Sequence, residues 1–117
     1  MSRIRIALAA VAAIALLAAV SAQAAPPKLV GTVGPGFTIV LKNGTAKVTK
    51  LKAGKYTFVI HDKSNIHNFH LKGPVSKVFT SVTFVGTKTV TLTLKKGKYT
   101  YVCDPHASTM HASFTVS

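Results

Sequence analysis

The sequence has 117 residues, one cysteine and a net charge of +13. This length suits one small domain, and a single cysteine excludes an internal disulfide bond. Fifteen lysines and arginines oppose only Asp62 and Asp104. This charge favours anionic partners, but nucleic acid is disfavoured because the only arginines lie in the first five residues. The lysines are spread along the sequence, and we interpret them as a solvated basic surface.

The N-terminal 24 residues have the features of a secretory signal peptide. Arg3 and Arg5 precede an apolar, alanine-rich run over residues 6–20, and residues 22–24 (Ala-Gln-Ala) form a small-x-small cleavage motif. The apolar run is short for a membrane span. We therefore expect cleavage after residue 24, a secreted or periplasmic protein, and one mature domain over residues 25–117. Thirteen lysines and two aspartates give that domain a net charge of +11.

After residue 24, short β-branched and aromatic runs alternate with Gly, Asn and Lys turns. Period-two alternation over Thr87–Leu94 is typical of a strand with one buried face, and Asn43-Gly44 is a hairpin signal. The predicted strands are Lys28–Val33, Phe37–Lys42, Ala46–Leu51, Lys55–His61, His67–Lys72, Val78–Phe84, Thr87–Leu94, Lys98–Cys103 and Ala112–Val116. Short strands at this spacing predict an all-β antiparallel sandwich or barrel of about eight strands.

One segment of the sequence is repeated. Leu51–Val59 (LKAGKYTFV) recurs as Leu94–Val102 (LKKGKYTYV). Two copies are too few for a solenoid, so the repeat indicates pseudo-symmetry within one domain. The first copy leads towards His67 and the second leads directly to Cys103, and we expect them to deliver these side chains from opposite sides of the sandwich.

A group of soft and borderline metal ligands lies near the C-terminus. Cys103, His106, Met110 and His111 fall within nine residues. Thiolate, imidazole and thioether together suit copper. One tight loop cannot surround a metal completely, so another imidazole must come from a distant strand. His67 is the best candidate, and an inert buried thiol at Cys103 is the less favoured interpretation.

The sequence resembles the cupredoxins, the plastocyanin–amicyanin–pseudoazurin group of small blue copper proteins. The resemblance rests on the His67-Asn68 step, the Cys103–His106 loop with a following Met, the glycine-rich loop at residues 34–37 and the strand pattern. It covers nearly all of residues 28–117. It implies a Greek-key β-sandwich of eight strands that binds one copper ion at one end and transfers single electrons.

The same resemblance implies a set of copper ligands. His67, Cys103 and His106 would be equatorial, and Met110 would be axial. The loop spacing is intermediate between those of the relatives, which leaves His111 as an alternative axial ligand. We favour Met110 because a thioether favours Cu(I), whereas an imidazole would give a less oxidising site.

Three further residues are expected to support these ligands: Asn68, Asp104 and Pro105. Asn68 would tie the His67 segment to the Cys103 loop, as outer-shell residues commonly do. Pro105 lacks an N–H that could bond the Cys103 sulfur, and it also stiffens the turn. His61 and His70 are interpreted as ordinary strand histidines rather than a second metal site.

These features predict a secreted type 1 copper protein that carries one electron by cycling between Cu(I) and Cu(II). We expect a monomer, redox partner proteins with an acidic docking surface, and His106 as the electron port. The basic surface also suggests association with a membrane or cell wall. The alternative function is copper carriage or sequestration. An enzyme is disfavoured because the residues beside Cys103 are not histidines and no paired carboxylates are present.

Overall fold

The structure is a computed structural model that describes residues 24–117 together with Ala10, Ala12 and Ile14. Most of the predicted signal peptide lies outside the described residues, so this assignment stays a prediction. Within the described part of the chain, no helix is both long enough and apolar enough to cross a membrane.

The described residues form a β-sandwich of two five-stranded sheets. The strands are β1 (Lys28–Val33), β2 (Ile39–Asn43), β3 (Ala46–Lys47), β4 (Lys50–Leu51), β5 (Gly54–Asp62), β6 (Phe69–Lys72), β7 (Lys77–Thr80), β8 (Gly86–Leu94), β9 (Gly97–Val102) and β10 (His111–Val116). The first sheet has the order β3-β2-β1-β5-β8, and the second has the order β4-β10-β9-β6-β7. A single 3₁₀ turn (Asp104–His106) lies between β9 and β10. The predicted all-β sandwich is confirmed.

The predicted strand Ala46–Leu51 was wrong, because the chain changes sheets within it. β3 pairs with β2 in the first sheet, whereas β4 pairs with β10 in the second. Val48 lies between the two short strands and is buried, and its N–H donates to the carbonyl of Leu41. Because Val48 turns into the core, the alternation of buried and exposed side chains continues through it. The sequence pattern alone therefore could not show that the chain changes sheets there.

Two other expectations also need correction. The predicted strand Val78–Phe84 ends early, at Thr80, and residues 81–85 turn towards β8. The sheets are not purely antiparallel, since β1 pairs with β5 and β4 pairs with β10 in parallel register. Alternating hydrophobicity reports which side chains are buried but carries no information on the direction of a neighbouring strand.

The core is rich in aromatic side chains and lies between the two sheets. Tyr99 stacks on Phe114, and Phe69 stacks on Tyr101, with ring centroids 5.2 and 5.4 Å apart. Such pairs add to the stabilisation from burial alone. The core cluster extends from Leu29 to Val116, so residues 25–117 contain the whole sandwich and its core.

The repeated sequence forms the same turn in both sheets. The hydroxyl of Tyr56 donates to the carbonyl of Lys52 at 2.7 Å, and that of Tyr99 donates to the carbonyl of Lys95 at 2.8 Å. The two copies begin β5 in one sheet and β9 in the other. However, the strand that follows His67 is β6, which pairs with β9. The segments that carry His67 and Cys103 are therefore joined to neighbouring strands of one sheet and do not come from opposite sides of the sandwich.

Tyr101 links the two sheets through a buried hydrogen bond. The N–H of Leu41 in β2 donates to the Tyr101 hydroxyl at 3.2 Å, and both residues are fully buried. Burial raises the pKa of Tyr101, and this effect outweighs the opposing effect of the hydrogen bond from Leu41. The hydroxyl therefore stays protonated where an exposed tyrosine would begin to ionise.

Replacing Tyr101 by Phe is expected to lower the free energy of unfolding by about 1–3 kcal/mol, because the buried N–H of Leu41 loses its partner. Urea denaturation measures the loss. Tyr56→Phe is the matched control, and it should cost only about 0.5–1.5 kcal/mol, because water can reach the carbonyl of the exposed Lys52. Equal losses in the two variants would contradict a special role for Tyr101.

The same variant has a distinct pH dependence. The folded protein holds the Tyr101 proton more tightly than the unfolded chain, so this contribution to stability is complete below the ordinary tyrosine pKa of 10.0 and declines as the pH rises above it. The stability difference between wild type and Tyr101→Phe should therefore shrink above pH 10.0.

Candidate metal centre

Three side chains bring potential metal ligands together at one end of the sandwich. The Nδ1 atoms of His67 and His106 lie 3.1 Å apart, and each is 3.6 Å from Cys103 Sγ. His67 and Cys103 are fully buried, and His106 is half-buried. In the described part of the chain, this is the group of His, Cys and acidic side chains placed to hold a metal ion.

The spacing of these three atoms fits a metal ion. A triangle with sides of 3.1, 3.6 and 3.6 Å has its circumcentre about 2.0 Å from each corner. Zinc–nitrogen and zinc–sulfur bonds in proteins, which are comparable in length, are about 2.0–2.3 Å. Two imidazoles and one thiolate are the trigonal donor set of type 1 copper sites. The residues present therefore fit a copper ion at this position.

The register between β6 and β9 explains why these residues meet. His70 is opposite Val102 in this antiparallel pair, so the start of β6 lies beside the end of β9. His67 lies two residues before β6, and Cys103 immediately follows β9. Two residues separated by 36 positions therefore become neighbours. Their side chains point towards the end of the sandwich.

Backbone hydrogen bonds close the loop between β9 and β10. The N–H of Cys103 donates to the carbonyl of Met110, and the N–H of Met110 donates to the carbonyl of His106. The N–H of His106 donates in turn to the carbonyl of Cys103. Pro105 lies in the first turn of the 3₁₀ segment, where its fixed φ is favourable and no helical N–H is lost. The loop is thus held without a metal.

Asn68 joins the two ligand segments. Its Nδ2 donates to Asp104 Oδ2 at 2.8 Å, and its Oδ1 accepts the backbone N–H of Asp104 at 2.7 Å. Asn68 is buried, whereas the side chain of Asp104 is partly exposed, so only the Asn68 side of this pair is shielded from water. These are the contacts through which a residue after His67 can fix the position of the loop that carries Cys103 and His106.

Asp104 is also held by positive groups. His70 Nδ1 donates to Asp104 Oδ2 at 2.9 Å, and Lys72 Nζ lies 3.5 Å from Oδ1. Partial burial opposes ionisation of the carboxyl, but the hydrogen bonds from Asn68 and His70 and the charges of His70 and Lys72 together lower the pKa of Asp104. The carboxylate is therefore ionised at neutral pH and remains a strong acceptor for Asn68.

His61 and His70 lie in different sheets and have different partners. His61 Nδ1 is 2.9 Å from the hydroxyl of Thr87, whereas His70 contacts Asp104. His61 therefore contacts a strand neighbour, whereas His70, interpreted from the sequence as an ordinary strand histidine, is a half-buried partner of Asp104.

The two candidates for an axial ligand have opposite environments. Met110 is buried within the core cluster beside the ligand loop. His111 is exposed, and its Nδ1 donates to the carbonyl of Ala107 at 2.8 Å. The alternation at the start of β10 turns the side chain of His111 away from the interior. The environment favours Met110 as the axial ligand.

Phe37 is a site residue that the sequence pattern did not reveal. The strand predicted to begin at Phe37 begins only at Ile39. The Phe37 ring instead lies edge-to-face against the rings of His106 and His67, with centroids 4.9 and 5.3 Å apart. The turn that places it includes Gly34, where φ is +73° and an added Cβ would lie 3.2 Å from His67 Cδ2. The sequence signal that could have indicated this turn is the glycine at position 36 directly before the aromatic residue Phe37.

Replacing Asn68 by Ala should destabilise the metal-free protein by about 1–3 kcal/mol, because the Asp104 N–H and carboxylate lose a buried partner. Denaturation of the metal-free protein measures this directly. Asn65→Ala is the control, since Asn65 is exposed in the same loop and should be nearly neutral. A loss no larger than that of the control would show that Asn68 does not tie the two segments together.

Comparison with known proteins gives matches only among solved structures. No protein-family model matches the sequence, and no curated protein matches it. Rusticyanin from Thiobacillus ferrooxidans is 22% identical with a TM-score of 0.50, covering 77% of this chain and 76% of that one. Reduced rusticyanin is 24% identical with a TM-score of 0.51 and coverages of 77% and 78%. A reduced amicyanin variant is 17% identical with a TM-score of 0.51 and coverages of 81% and 87%.

These likenesses confirm the resemblance noted in the sequence at the level of the fold. The matches to rusticyanin and amicyanin cover 77% and 81% of the chain. The chain has the cupredoxin fold, with a His–Cys–His group at one end of its β-sandwich.

Proposed function

We propose that this chain is a secreted, mononuclear type 1 copper protein that carries single electrons between redox partners. The observation that carries the proposal is the convergence of His67 Nδ1, His106 Nδ1 and Cys103 Sγ within 3.1–3.6 Å of one another. This donor set selects copper over harder metals. The structural neighbours lend support, since rusticyanin is described as a copper protein and both neighbours have reduced forms.

Bound copper would supply the Cu(I)/Cu(II) couple, and His67, Cys103, His106 and Met110 would hold it. Asn68 and Asp104 fix the positions of the two segments that carry these ligands, through the hydrogen bonds described above. A ligand set that is already in place does not have to rearrange when an electron arrives or leaves. This rigidity is the property that an electron carrier needs.

The surroundings of the site favour electron transfer over catalysis. Cys103 and His67 are fully buried, so a substrate could not reach them. His106 is half-buried, with one side of its ring against the exposed Phe37. This partial exposure supports the imidazole of His106 as the route by which an electron would reach the surface. We propose no enzymatic activity.

The metal end of the molecule also indicates how a redox partner would bind. Phe37 and Ile66 are exposed there, at 62% and 47%. We propose that a partner docks on this apolar surface as a complex with a monomer, and that the net positive charge of the protein attracts an acidic partner at longer range. Copper carriage or sequestration remains the second function that the same ligands could serve.

The test is the visible and EPR spectrum of the protein with one equivalent of Cu(II). We expect an intense blue thiolate-to-copper band and a narrow copper hyperfine splitting. Both should be lost in Cys103→Ser, because serine cannot form the copper–thiolate bond. Met110→Leu should retain the blue band and change the reduction potential.

Two outcomes would count against the proposal. A pale spectrum that Cys103→Ser leaves unchanged would exclude a type 1 site. A blue spectrum without reversible reduction and reoxidation would favour copper carriage. His111→Ala is the control for the axial position, and it should leave the spectrum and the potential close to those of the wild type, since His111 faces solvent.

Phe37→Ala is expected to speed the transfer of copper to a competing chelator several-fold. Each edge-to-face contact that the ring makes with a ligand imidazole is worth about 0.5–1.5 kcal/mol. Stopped-flow absorbance of the blue band measures the rate. Ile66→Ala removes a neighbouring exposed apolar side chain and should leave the rate unchanged. If both variants lost copper faster by the same factor, the effect would come from general shielding of the site from solvent, and the specific role of the Phe37 ring contacts would be contradicted.

A further inference from the structure

The charges of this protein are distributed unevenly between its two ends. All thirteen lysines of residues 25–117 are exposed. Of the two acidic side chains, Asp62 is buried and Asp104 is engaged by Asn68, His70 and Lys72. Both aspartates lie at the metal end, at the end of β5 and directly after β9. Within residues 24–117, no exposed acidic side chain lies near the other end.

Strand register gathers six lysines at that other end. Gly54 is opposite Leu94, so the turn before β5 lies beside the turn after β8. Val116 is opposite both Gly97 and Leu51, which brings the turn before β9 next to β4. The lysines on these turns and strand ends are Lys50, Lys52, Lys55, Lys95, Lys96 and Lys98, here called the distal lysine cluster.

This cluster corrects the interpretation of the lysines as evenly spread. In the sequence they are separated by up to 48 residues, from Lys50 to Lys98. The repeated turn motif explains their meeting, because each copy carries lysines on both sides of its glycine and each copy starts a strand at the same end. The tyrosine hydroxyls of Tyr56 and Tyr99 fix both turns.

The cluster lies far from the candidate metal centre. β5 runs nine residues from Gly54 to Asp62, and at about 3.3 Å per residue this separates the two ends by about 26 Å. Six exposed ammonium groups without acidic side chains beside them repel one another, and contact with an anionic surface would relieve that repulsion.

The path of the chain indicates which kind of anionic surface would contact the distal lysine cluster. Residues 24–27 lie against Lys55 and line one cavity with it, and the N–H of Thr57 donates to the carbonyl of Pro27. The chain thus reaches the sandwich at its lysine-rich end, and the apolar run of residues 6–20 precedes this point in the sequence. That run is the segment expected to engage a membrane during export. Continuity between the two favours a lipid surface.

We propose that the distal lysine cluster binds the surface of an anionic phospholipid bilayer, with the metal end directed away from the membrane. Each lysine near such a surface contributes attraction that falls off within a Debye length. The cluster thereby orients the protein, so that Phe37 and His106 face the aqueous phase. The inference depends on the lysines and not on bound metal, so metal-free and copper-loaded protein should bind alike.

The test is co-sedimentation of residues 25–117 with phosphatidylcholine vesicles that do or do not contain phosphatidylglycerol. Two variants with the same change in charge are compared. The distal variant has Lys52, Lys55, Lys95 and Lys96 all replaced by Gln. The control variant has Lys42, Lys47, Lys63 and Lys77 all replaced by Gln. The distal variant should bind anionic vesicles at least about tenfold more weakly than the control variant, and salt should weaken wild-type binding.

A second measurement tests the orientation. Gadolinium-labelled lipid in the anionic vesicles should broaden the amide signals of residues 50–55 and 95–98, and leave those of residues 34–37 and 104–109 sharp. Equal weakening in both variants, equal binding to neutral vesicles, or broadening at the metal end would overturn the proposal. So would binding to soluble poly(glycerol phosphate) but not to vesicles, which would assign the cluster to a cell-wall polymer.

Discussion

The candidate metal centre depends on the pair of hydrogen bonds between Asn68 and Asp104. The side-chain amide of Asn68 satisfies both the backbone N–H and the carboxylate of Asp104, at 2.7 and 2.8 Å. Because Asn68 follows His67 and Asp104 follows Cys103, this contact sets the distance between a histidine and a thiol from distant parts of the chain. A buried amide with both ends satisfied has little freedom to move.

The pairing of strands within the sandwich holds the contact between Asn68 and Asp104 in place. β6 and β9 are hydrogen-bonded neighbours, which brings the two segments to the same edge, and Tyr101 ties the second sheet to Leu41 in the first. Backbone hydrogen bonds then fold the ligand loop so that His106 returns towards Cys103 and Met110 points into the core. The ligands are therefore arranged by the protein itself, which is the condition for rapid electron transfer through a metal bound there.

Much of this arrangement could be predicted from the sequence, because ligand chemistry and strand alternation are local properties. Cys103, His106 and Met110 are close in sequence, and β1 has the predicted bounds. What could not be predicted depends on contacts between distant segments. The change of sheet at Val48 preserves the alternation, and the position of Phe37 against two imidazoles follows from a turn whose shape no pattern reports.

The distal lysine cluster is another feature that the sequence could not predict, because it depends on contacts between distant segments. Its members look dispersed until the register of β5 with β8 and of β9 with β10 is known. The same register separates the two regions to which functions are proposed, with positive charge at one end and soft ligands at the other. A protein built in this way can be held at a surface without covering its candidate metal centre.

X-ray absorption spectroscopy of the copper-loaded protein in both oxidation states tests the central claim most directly. A carrier with a ligand set fixed by the fold should show two histidine nitrogens and one short copper–sulfur contact in Cu(II) and in Cu(I). Loss of a histidine on reduction, or the absence of the sulfur in either state, would contradict a preformed electron-transfer site.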